Sequence, residues 1–135
     1  VVYDFPALTA FQRDSESNHW WAKVPGADFD IYLPDAQGSP DASKLAFAKT
    51  ALAAANELVL DATKYIATFV DTDRVGIIGT PEIVTIDCSE QQYGAESVKL
   101  DVTWPDQDVY GLWYATFQRL SGMSWCPCEF GRRNW

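Results

Sequence analysis

Apolar positions along this chain follow two rhythms. Over residues 41–71, Leu45, Ala48, Leu52, Ala55, Val59, Ala62, Ile66 and Phe69 recur at alternating steps of three and four. That spacing places them on one face of a helix. Phe47, Ala51, Leu58 and Tyr65 widen the face into a broad stripe, which suits burial against a sheet. Elsewhere the rhythm is two. Residues 28–33 put Phe29, Ile31 and Leu33 on one side and Asp28, Asp30 and Tyr32 on the other. Residues 97–104 oppose Val98, Leu100, Val102 and Trp104 to Lys99, Asp101 and Thr103. Further strands are predicted over 7–13, 19–24, 82–88, 109–118 and 124–132. The 109–118 run is apolar on both faces, as a central strand requires. Pro127 assigns the last strand to an edge or a bulge.

Ser39, Pro40 and Asp41 give a helix-start signal: a capping hydroxyl, a proline for the first helical position and a negative charge at the positive end of the dipole. A continuous helix of about 30 residues would span roughly 45 Å. A compact chain of this length is roughly 35 to 40 Å across. The helix must therefore cross the whole domain or bend, and Asn56, a weak helix former near its middle, is the predicted bend. Three strands, one long helix and four more strands predict an α+β fold. It is a single antiparallel sheet of six to seven strands, with one long helix over 41–71 packed across one face, in one domain of residues 1–135. The other face is left to solvent or to a partner.

Composition sharpens this outline. An apolar share of 47% and a charged share of 21% fit a globular domain. No apolar run is long enough to span a membrane. The net charge of −9 argues against nucleic acid as a ligand and suits a basic protein partner. Residues 82–108 carry seven carboxylates against Lys99, a local balance of −6, whereas residues 109–135 carry three arginines against Glu129. Cys126-Pro127-Cys128 and the separate Cys88 lack zinc-site spacing, and His19 is the one histidine. Buried thiols are expected rather than a disulfide to Cys88, which favours a cytoplasmic setting over a periplasmic one. Val75-Gly76-Ile77-Ile78-Gly79 lacks the form of a phosphate loop and reads as a connector. No metal or other cofactor is expected.

The candidate chemistry is sparse. His19 with Cys126 or Cys128 would be needed for nucleophilic catalysis, and no family signature surrounds either. Asp28 with Asp30, or Asp106 with Asp108, beside Tyr32 and Trp104, could serve as paired carboxylates on a sugar. Six Trp, six Tyr and seven Phe supply recognition area as well as packing.

The runs Asp108-Val109-Tyr110-Gly111-Leu112-Trp113-Tyr114-Ala115-Thr116-Phe117 and Phe130-Gly131-Arg132-Arg133-Asn134-Trp135 resemble the C-terminal strands of small bacterial α+β proteins. Some acidic proteins of that build are immunity partners of secreted toxins. Cys126-Pro127-Cys128 departs from that pattern, and the resemblance names no catalytic residue. The acidic surface, the aromatic content and the lack of a catalytic constellation point to a non-enzymatic protein-binding module, and the resemblance implies an immunity protein that neutralises a basic toxin. The surface expected to carry binding combines Asp28, Asp30, Asp101, Asp106 and Asp108 with Trp20 and Trp104. The rival readings are a small carbohydrate-active enzyme using paired carboxylates, and an oligomerising module that forms a homodimer through the uncovered sheet face.

Overall fold

The computed structural model describes residues 2–77, 79–90, 96–108, 111–120 and 122–134, with the backbone alone at Asn134. Seven strands form the main sheet: β1 (Gln12–Arg13), β2 (Trp20–Lys23), β3 (Asp30–Leu33), β6 (Glu82–Asp87), β7 (Glu96–Thr103), β8 (Gly111–Arg119) and β9 (Cys126–Asn134). They lie in the order β1-β2-β3-β6-β7-β8-β9. A small hairpin of β4 (Asp35–Ala36) and β5 (Ser39–Pro40) follows β3. The helices α1 (Leu45–Ala53), α2 (Ala55–Phe69) and α3 (Thr72–Val75) connect β5 to β6. The α+β class and the seven-stranded sheet match the hydrophobic pattern. Of the predicted strand over 7–13, only its last two residues pair, because Leu8–Ala10 closes into a 3-10 turn. Val109 and Tyr110, the start of the predicted 109–118 strand, lie outside the described residues, as does Trp135.

Two expectations are corrected. The sheet is mixed: β3 and β6 pair in parallel, and every other pair is antiparallel. The cause is the connection between them. A long helical crossover brings the chain back in its original direction, whereas a tight turn reverses it. Nor is there one helix over 41–71. α1 and α2 are separated at Ala54, whose ψ of 5° departs from the helical value. The break falls two residues before Asn56. Ala54 N–H still bonds to Thr50 and Ala51 carbonyls, and Leu58 N–H to the Ala54 carbonyl, so backbone bonding continues on both sides of the break.

The two aspartates bounding the predicted helix are both caps. Asp41 accepts from Ser43 N–H and begins a 3-10 turn that leads into α1. Asp71 accepts from Arg74 N–H and begins α3, which Gly76 closes at a φ of 73°. Ser39 and Pro40, read as the cap signal, instead pair with Ala36 and Asp35.

Helices α1 and α2 cover one sheet face. Across the strands a buried apolar row runs Ala22, Ile31, Ile86, Leu100 and Ala115 in register, with Phe130 partly buried at its end. Phe47, Ala51, Leu52, Leu58, Val59 and Ile66 from the helices are buried in the same core. Phe130 on β9 is stacked on Phe69 and lies edge-on to Tyr65, which ties the end of α2 to the sheet edge. No helix among the described residues is long and apolar enough to cross a membrane.

Candidate functional site

Because side chains alternate along a strand, the register that builds the apolar row also fixes the opposite face. Two polar rows cross it. One runs Lys23, Asp30, Thr85, Asp101, Tyr114 and Gly131. The next runs Gln12, Trp21, Tyr32, Asp87, Lys99, Thr116 and Glu129. Adjacent strands are about 4.8 Å apart, so neighbours within a row are in contact range. Four carboxylates (Asp30, Asp87, Asp101 and Glu129) and three rings (Trp21, Tyr32 and Tyr114) thus share one surface that neither α1 nor α2 covers.

Tyr114 is central to this face. Gly131 on β9 leaves room for its ring, since a Cβ there would meet ring atoms at 2.5 Å. The Lys99 ammonium lies 5.6 Å from the ring centroid and the Arg133 guanidinium 5.7 Å. Arg133 also reaches Asp101 at 3.3 Å. A groove of about 160 Å³ runs along these residues, bounded by Asp87, Glu90 and Glu129.

Burial dominates the electrostatics. The Asp101 side chain is only 8% exposed, and burial pushes its carboxyl up to about 6, against the opposing pull of Arg133 and Lys99; nearby Asp87 adds to the rise. Burial also raises Asp30, opposed by Lys23. Tyr32 is raised first by burial and then by Asp14, Asp30, Asp87 and Asp101. The floor therefore holds negative charge that water solvates poorly. Asp87 accepts hydrogen bonds from the Ser89 backbone and hydroxyl, which orients its carboxylate.

The seven residues expected to form one surface are dispersed. Asp30 and Asp101 stand in the same row of the open face, two strands apart. Asp28 is exposed just before β3, where it lines a separate cleft of about 610 Å³ with Tyr3, Asn56 and Glu82. Asp106 is exposed in the β7–β8 turn. Asp108 accepts from Arg132 Nη2 at 2.8 Å and Nε at 2.9 Å, and from Trp113 Nε1 at 2.9 Å. The Arg132 hydrogen bonds hold its carboxyl below the usual range, which suits a structural clasp. Trp104 is 3% exposed on the helix side, edge-on to Trp113, and donates to the Gly79 carbonyl at 3.1 Å. Trp20 pairs with Leu33 on the helix side and donates to Asp35 at 2.7 Å.

Trp21, Asp87 and Tyr114 are not among the residues expected to bind, and Tyr32 is expected only beside a sugar, yet all four share the open face. A signal existed for Trp21: in Trp20-Trp21-Ala22-Lys23, Trp21 has the parity of Lys23 and Trp20 that of the buried Ala22.

Topology separates His19 from the cysteines. β2 and β9 are five strand steps apart in the sheet, about 24 Å at the usual spacing, so no Cys–His pair forms. Cys88 is buried as expected, but Cys126 and Cys128 are exposed, because β9 is an edge strand. Among the described residues, no group of three or more His, Cys, Asp or Glu is arranged to hold a metal ion.

No family model matches the chain, and comparisons with curated proteins and with solved structures return no match.

Proposed function

We propose that this protein is a non-enzymatic binding module that engages a basic protein partner through the open face of its sheet. A toxin neutralised by an acidic immunity protein is the kind of partner this reading fits. The observation that carries it is the pair of registered rows holding Asp30, Asp87 and Asp101 among Trp21, Tyr32 and Tyr114.

The physical argument concerns poorly solvated charge. A carboxylate raised by burial has lost water without gaining a full replacement. A guanidinium or ammonium from a partner restores that stabilisation, so binding draws on a cost the free protein already bears. The aromatic rings supply rigid contact area. The β3–β6 half of the face, with Asp30 and Asp87, is the acidic side. The β7–β9 part carries Lys99 and Arg133, with Glu129 beside them, around the groove. A partner is thereby oriented, with its basic residues directed toward β3 and β6.

The test compares two charge-reversed variants as bait in a lysate of the native organism at low salt. Asp30→Lys with Asp87→Lys alters the open face, and Glu57→Lys with Asp61→Lys alters exposed positions of α2. A protein captured by the parent and by the α2 variant, released by salt and lost with the open-face variant supports the proposal. Equal capture by both variants refutes it.

A second reading, a small carbohydrate-active enzyme, draws on one observation: a carboxyl raised to about 6 stands near Asp87 and Tyr32. Asp101 is, however, engaged by Arg133. Hydrolysis of aryl glycosides by the parent but not by Asp101→Asn would favour the enzyme.

A further inference from the structure

Two thiols stand close together at the edge of the sheet. Cys126 and Cys128 lie in the edge strand β9, and both are exposed. The ladder steps from Phe117–Pro127 to Thr116–Glu129, so Cys128 is the extra residue of a β-bulge. Cys126 opposes Gln118 and Glu129 opposes Thr116, positions that share the parity of the open face. The Cys128 thiol donates to the Thr116 carbonyl at 3.3 Å, and that of Cys126 lies 3.7 Å from the Pro127 carbonyl. Pro127 has no N–H to give to a ladder, and among the described residues no strand lies beyond β9 in the sheet to hold the bulge in place.

These positions are within bridging reach. Residues two apart on an extended strand have Cα atoms about 6.6 Å apart. Disulfides span about 4.4 to 6.8 Å, and a bulge bends the strand further. We propose that Cys126 and Cys128 form a redox-active dithiol that closes reversibly to an intramolecular disulfide by exchange with a low-molecular-weight disulfide of the glutathione class.

In the first step the Cys126 thiolate attacks one sulfur of the small disulfide. A protein–small-molecule S–S bond forms, and one small thiolate leaves. In the second, Cys128 loses its proton and its sulfur attacks Cys126 Sγ, displacing the other small thiolate. Two electrons pass from the cysteines to the small disulfide. The two cysteine protons end on the two small thiols released. Cys128 is the resolving residue, because its thiol is hydrogen-bonded to Thr116 and is raised by burial and then by Glu129. A bridge near the upper distance limit is strained, and strained, exposed disulfides are the readily reduced ones.

The test incubates the folded protein with oxidised glutathione, quenches in acid and reads intact mass and peptide maps. The expected product is lighter by two hydrogen atoms, linked Cys126 to Cys128, unmodified at the buried Cys88, and restored by reduced glutathione. Cys128→Ser should stop at one glutathione on Cys126. Glutathione on both cysteines without ring closure, disulfides only between copies, or no reaction would each overturn the proposal. The readout needs no binding partner.

Discussion

Replacing Asp101 with Asn tests whether burial or pairing governs the centre of the open face. Asp101 lies in the row between Thr85 and Tyr114, 3.3 Å from Arg133, and its carboxyl is raised from 3.8 to about 6. That difference corresponds to about 3 kcal/mol against the ionised form in the folded protein. The sign follows from proton binding. Between about pH 4 and about pH 6 the folded state holds more protons at this site than the unfolded chain, so the stability from Asp101 falls as pH rises through that window. Asn keeps the shape of the protonated acid and never ionises. Asp101→Asn should therefore exceed the parent in stability by about 0.5 kcal/mol at about pH 4 and about 3 kcal/mol at about pH 7.5. Urea unfolding at both pH values measures this, provided the slope with denaturant stays the same. A variant less stable than the parent at the higher pH would refute the reasoning, since the Arg133 pair would then outweigh the burial cost.

Asp108→Asn should behave oppositely. Arg132 holds this carboxyl below its ordinary range, so its stabilisation is present above about pH 4 and lost as pH falls through the folded value. The variant should lose about 2 kcal/mol at neutral pH, where charge-assisted bonds to Arg132 are broken, and lose less in acid, as urea unfolding across pH would read. Gly131→Ala should cost about 1 to 3 kcal/mol, because its Cβ must displace the Tyr114 ring. Combining it with Tyr114→Ala should recover most of that loss in a double-mutant cycle, and full additivity would count against the contact.

Much of this architecture can be read from alternation. The opposition of Val98, Leu100, Val102 and Trp104 to Lys99, Asp101 and Thr103 marks the two faces of β7, and the structure buries the first set under the helices. The same parity places Trp104 in the core rather than on a binding surface. The helix break has no local signal, because Ala53, Ala54 and Ala55 are all strong helix formers. Strand direction was equally silent: the pattern of β3 and β6 is the same whether they run parallel or antiparallel. The burial of Asp101 depends on residues distant in sequence, with Arg133 and Tyr114 brought beside it by β8 and β9. No local pattern encodes that. The clasp of Asp108 by Arg132 is likewise a long-range product of the β8–β9 register.

In the proposed function the uncovered sheet face, rather than the helical layer, receives basic groups. Amide and side-chain chemical shifts recorded while an isotopically labelled sample is titrated with a short arginine-rich peptide at low salt test it most directly. Binding at the open face should give salt-sensitive shifts concentrated on Asp30, Tyr32, Thr85, Asp87 and Asp101, with the indole of Trp21. Shifts centred instead on Glu57, Asp61 and Asp73 of the helices, with the open face unchanged, would contradict it.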